Sequence, residues 1–157
     1  MVRIHSVGGN AKSSYGVYMS AALINRAKWV NGDSLRITAV DPDIILITHE
    51  QMSTERWIEL YNAATRGRPV EQMNPAELVQ LLAATEGDDG RRPSSVTSLA
   101  PLGEAGHRIL ITDAAKRLEL EPGDRVHRRS ENGVVVIVPT SKLTDEVKKR
   151  IEKVLAV

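Results

Sequence analysis

The chain has 157 residues, 41% of them hydrophobic, with no Cys, no Phe and a formal net charge of +1. A chain of this length holds one domain or two small ones. The lack of Cys excludes disulfides and thiolate metal sites and fits an intracellular protein. No apolar run reaches the ~20 residues of a membrane span, and no secretory apolar region opens the sequence, so the expected address is the cytoplasm with no membrane partner.

Residues 2–7 read as a strand, followed by the glycine-rich loop within VGGNAKSSYG (7–16). The loop departs from the phosphate-binding pattern G-x-x-x-x-G-K-[ST]. Ala11 and Ser6 stand where glycines are required, and a strand at 15–19 follows in place of a helix. Ser20 caps a short helix, Ala21 to Lys28. VNGD (30–33) is a turn, Leu35 to Val40 a strand, Asp41-Pro42-Asp43 a hairpin turn and Ile44 to Thr48 an apolar strand.

The middle changes character. Thr54 to Thr65 carries Trp57, Ile58, Leu60 and Tyr61 in a helical pattern. Asn74-Pro75 starts a second helix with Leu78, Leu81 and Leu82 on one face. Residues 86–95 have the composition of a linker. After it the first pattern returns: a strand from His107 to Ile111, a short helix from Thr112 to Leu118, the turn 121–124, a strand from Arg125 to Arg129, the turn 131–133 and the apolar strand Val134 to Val138. Thr144 caps a last helix with Val147, Ile151, Val154 and Leu155 on one stripe.

This is an internal repeat. Displacing the sequence by 91 residues brings Gly32-Asp33 onto Gly123-Asp124, Arg26 onto Arg117 and Ile44–Ile47 onto Val135–Val138 without a gap. Charge follows the same division. Residues 1–50 carry five basic and four acidic side chains, 51–90 three and seven, and 91–157 thirteen and nine. An acidic middle between more basic ends points to a polyanionic partner or to ordinary solvated surface.

The second copy, RILITDAAKRLELEPGDRVHRRSENGVVVIVP (108–139), resembles the AbrB/SpoVT swapped-hairpin family, which includes MazE-like proteins. The resemblance lies in Leu118, Leu120, the Pro122-Gly123-Asp124 turn, Asn132-Gly133 and the VVVIV strand. Ile111 stands where the family's helix commonly opens with proline. The first copy keeps Gly32-Asp33 but has Ser20 at the proline position, Trp29 near the second leucine position and a longer first loop. The resemblance implies an α+β, mainly β fold of two βαββ swapped-hairpin barrel halves, 1–50 and 96–141. A helical insert, 51–95, joins them and a C-terminal helix, 142–157, follows. One unit alone leaves an unpaired strand edge. The copies pair with each other or with their equivalents in a second chain.

The resemblance also implies double-stranded DNA as partner, a transcriptional regulator as function and a homodimer as working form. It assigns contacts to the first strand, its loop and the short helix. Those positions hold Arg3, Lys12, Ser13, Arg26 and Lys28 in the first copy. In the second they hold Arg91, Arg92, His107, Arg108, Lys116 and Arg117. Such cations neutralise phosphates and release counterions, and loop amides and hydroxyls fix register. Arg128 and Arg129 are adjacent on a strand and point to opposite faces, so at most one serves a single surface. Asp33 and Asp124 read as turn formers that bond nearby amides.

Enzyme chemistry finds no support. The four histidines show no ligand spacing, and neither a Cys nucleophile nor a G-x-S-x-G elbow exists. No catalytic residue, metal or cofactor is expected. The set Trp57, Leu60, Tyr61, Leu78, Leu81 and Leu82 is larger than a linker requires. It packs against the barrel or binds a protein partner. The alternative function is accordingly an assembly or antitoxin-like module whose barrel is a dimerisation scaffold.

Overall fold

The structure, a computed structural model, describes residues 2–7, 14–30, 32–40, 43–65, 96–98, 100–102 and 106–157. Among them are ten strands: β1 (Val2–Arg3), β2 (His5–Val7), β3 (Ser14–Ser20), β4 (Ser34–Val40), β5 (Ile44–His49), β6 (Val96–Ser98), β7 (Ala100–Leu102), β8 (Gly106–Leu110), β9 (Arg125–Glu131) and β10 (Val134–Pro139). The helices among these residues are α1 (Ala21–Ala27), α2 (Thr54–Ala64), α3 (Thr112–Arg117) and α4 (Asp145–Ala156). The fold is α+β with antiparallel pairing throughout. No helix among the described residues is long and apolar enough to cross a membrane. The helix expected after Asn74-Pro75, with Leu78, Leu81 and Leu82, and the linker 86–95 lie outside the described residues.

One sheet runs β1-β9-β10-β5-β4-β6 and the other β2-β3-β8-β7. Both orders are palindromic in the repeat. β5 pairs with β10 at the centre of the first sheet, and β3 with β8 at the centre of the second. The two copies therefore pair with each other inside one chain. The opening strand of each copy leaves its own hairpin to flank the other's, with β1 on β9 and β6 on β4. Among the described residues the hydrogen-bonded strands form two open sheets, with no ladder that closes them into one barrel. The second unit opens with two short strands, β6 and β7, ahead of the strand expected at His107.

The repeat is kept in backbone detail. Lys28 and Glu119 both take the left-handed conformation at φ 60° after their helices. Trp29 N–H donates to Ile24 O, as Leu120 N–H does to Ala115 O. The turns then need positive φ at Gly32 (89°) and Gly123 (97°), where only glycine is unstrained. Asp33 and Asp124 close them by accepting from Val30 N–H at 2.9 Å and Glu121 N–H at 2.8 Å. Both act as the turn formers the sequence suggested.

The six-stranded sheet is buried on both faces, which explains its continuous apolar runs. Ile45, Ile47, Val135 and Ile137 face one core with β3, β8, α1 and α3. Ile44, Leu46, Val134, Val136 and Val138 face a second core closed by α2 and α4. That second layer is pinned by Arg150. Its Nη1 donates to Asp43 Oδ2 and its Nε to Ala64 O, both at 3.0 Å, and its Nη2 donates to Asp43 Oδ1. Arg150 is 7% and Asp43 2% exposed, so this pair ties α4 to the β4–β5 turn and to the end of α2 out of water.

Candidate nucleic-acid interface

Alternation along β3 and β8 sorts the candidate residues by face. Val17, Met19 and Ile109 are buried in the shared core, and His107, opposite Met19, lies on the same side. Its Nδ1 is buried without a hydrogen-bond partner. Arg108 lies on the other face, directly opposite Tyr18, with Leu110 two residues on. The expected neighbours His107 and Arg108 are thus separated, and only Arg108 belongs to the outer face. The sheet is fitted closely there. A Cβ on Gly106 would stand 2.2 Å from Cε2 of Tyr18, so the ring lies across this glycine.

Arg128 and Arg129 part as alternation requires. Arg128 turns inward and donates to the carbonyl oxygen of Tyr18. That carbonyl lies beyond the last pairing of β2, His5 with Gly16, so an interior guanidinium caps an open stretch of edge. Burial lowers the Arg128 pKa from its ordinary value, and Tyr18 opposes the shift. Arg129 turns outward to Glu152 on α4 at 2.6 Å. His127 is held below the usual imidazole range by burial first, then by Arg129, Lys148 and Arg128. Each of these influences disfavours its charged form.

The helix ends carry the remaining cations. Arg26 is exposed in the last turn of α1, and Lys28 is exposed just after it. Lys116 and Arg117 are exposed in the last turn of α3, with Lys116 Nζ 5.9 Å from the centre of the Tyr15 ring. Arg26 and Arg117 are equivalents in the repeat, so cations stand at corresponding ends of the two helices. Arg3 lies on β1. Lys12, Ser13, Arg91 and Arg92 lie outside the described residues.

The middle set divides. Trp57 is 2% and Leu60 0% exposed. Both are interior packing of α2, which removes them from any accessible docking surface of this chain. Tyr61 is half-buried and stacks on Trp57, with ring centres 5.5 Å apart. Sequence reasoning missed the role of Tyr18. Its side of β3 was legible from alternation, but its partner strand lies about ninety residues away in sequence, and no local signal names it. No family model, curated protein or solved structure matches the chain.

Proposed function

We propose that the chain is a DNA-binding regulator, without a catalytic step of its own, built from two interleaved swapped-hairpin units. The pairing of β3 with β8 carries this reading. It sets β8, which carries Arg108, beside β3, the strand that leads from the first loop to the short helix α1. The first loop re-enters at Ser14 and the second at Gly106, which pairs with Ser20. Six residues along the strands separate these points, on the order of 20 Å. Arg108 on the outer face, with Arg26, Lys28, Lys116 and Arg117 at the helix ends, supplies the cations such a surface needs. In this reading one chain supplies the two units that the family takes from two chains, and a homodimer doubles the face.

The test is fluorescence anisotropy on a labelled duplex across a salt series. Binding should weaken steeply with salt. Substituting Arg108→Ala together with Arg117→Ala should flatten the logarithmic salt slope by about 2, roughly one per lost phosphate contact. A slope and affinity unchanged by the double substitution remove this face from DNA. Absence of binding at low salt removes DNA altogether. That outcome leaves the second reading, an assembly or antitoxin-like module, which the net charge of +1 favours.

A further inference from the structure

The ends of α1 and α3 are equivalent in the repeat, and each borders a cleft. The α3 cleft, of about 310 Å³, is lined by Leu118, Glu119, Leu120 and Thr140 among others. The α1 cleft, of about 590 Å³, has Ala27, Lys28, Trp29 and His49 at the matching positions, joined by Arg56 and Asn132. The backbone is the same in both, down to the left-handed Lys28 and Glu119 and the following amide bonds. The fold is therefore satisfied by Glu, Leu and Thr at these places. Trp29 packs in the shared core as Leu120 does, so the difference in chemistry between the two clefts lies in Lys28, His49 and Arg56.

Its chemistry is one-sided. No Asp or Glu side chain is among the described residues lining the cleft, and Gly133 and Val157 complete its wall. Asp33 holds Val30 N–H with Oδ2 and lies 3.7 Å from His49 Nε2 with Oδ1. His49 Nδ1 accepts from Gln51 N–H at 3.1 Å, so the neutral ring carries its proton on Nε2 as a donor. Arg56 Nη2 donates to Asn132 O at 2.6 Å, which holds the guanidinium at the rim. Trp29 is 5% exposed, and its indole N–H has no acceptor. Buried donors are nearly always matched; the indole N–H groups of Trp29 and Trp57 are both unmatched, and that of Trp29 stands beside the basic cleft. The volume falls in the range of small-ligand sites.

We propose that the α1 cleft binds a small molecule through a phosphate or carboxylate group held by Lys28, Arg56 and the His49 Nε2–H. The site shares Lys28 with the surface proposed for DNA, while Arg56 and His49 belong to it alone. The full chain, labelled with ¹⁵N, contains two tryptophans, so its indole N–H signals report separately on Trp29 and on Trp57 as internal reference. Inorganic pyrophosphate and citrate are titrated in turn at constant ionic strength. The Trp29 signal should move and saturate while Trp57 stays fixed. Saturation by pyrophosphate alone identifies a phosphate ligand, and by citrate alone a carboxylate. Lys28→Glu with His49→Thr, the residues the second copy already uses, should weaken binding by about tenfold or more while keeping the reporter. Arg56→Gln should weaken it likewise. The proposal is overturned if neither anion saturates, if Trp57 moves in parallel, or if both variants bind as the parent does. A Trp29 shift with duplex DNA and none with the small anions also overturns it, and assigns Lys28 and Arg56 to DNA.

Discussion

The carboxylates of Asp33 and Asp124 each accept one amide three residues back, at 2.9 and 2.8 Å. Both bonds sit at exposed turns, so each offsets a modest cost. Asp33→Ala and Asp124→Ala should each lose about 1 kcal/mol in urea denaturation with an unchanged slope. The two losses should add to within about 0.5 kcal/mol, because the turns share no partner. A loss confined to one aspartate would show that the two turns are not energetically equivalent. Lys28 and Glu119 tell a related story. A left-handed residue other than glycine is costly, yet both copies keep one at φ 60°. The strain thus belongs to the helix–turn geometry and not to either cleft.

At the scale of elements, the layer formed by α2 and α4 hangs on a buried ion pair. Asp43→Ala leaves the Arg150 guanidinium 7% exposed without its carboxylate, and removing one partner of a buried pair costs about 3–5 kcal/mol. Joint replacement, Asp43→Leu with Arg150→Met, should cost less than Asp43→Ala alone in the same urea titration. A larger cost for the double variant would show that the pair is stabilising beyond the satisfaction of its own charges. The apolar stripe of α4 was legible from Val147, Ile151 and Val154, but the burial of Arg150 was not, because its partner lies 107 residues away. The apolar runs of β5 and β10 announced strands buried on both faces, and the turns, caps and repeat offset were equally readable. β6 and β7 were not: each has three residues, and Pro101 reads against a strand except at a sheet edge, which is where β7 lies. At the candidate site, alternation could separate Arg128 from Arg129. It could not show that Arg128 would reach Tyr18, a contact 110 residues apart in sequence.

For the whole molecule, the decisive contacts are like with like: β3 on β8 and β5 on β10. A fragment of residues 96–157 keeps β8 and β10 but loses both partners, leaving two central edges open. It should self-associate as a dimer through these strands, as measured by sedimentation equilibrium. A folded, monomeric fragment would show that the pairing between copies is dispensable. Joining the two copies in one chain also frees them from identity. Two identical subunits offer the same contacts from either end to anything that crosses their axis, and so suit a palindrome. Here one end presents Lys28, Trp29 and His49 where the other presents Glu119, Leu120 and Thr140. The molecule has a head and a tail. Across the axis that relates its two copies, one chain offers unlike ends.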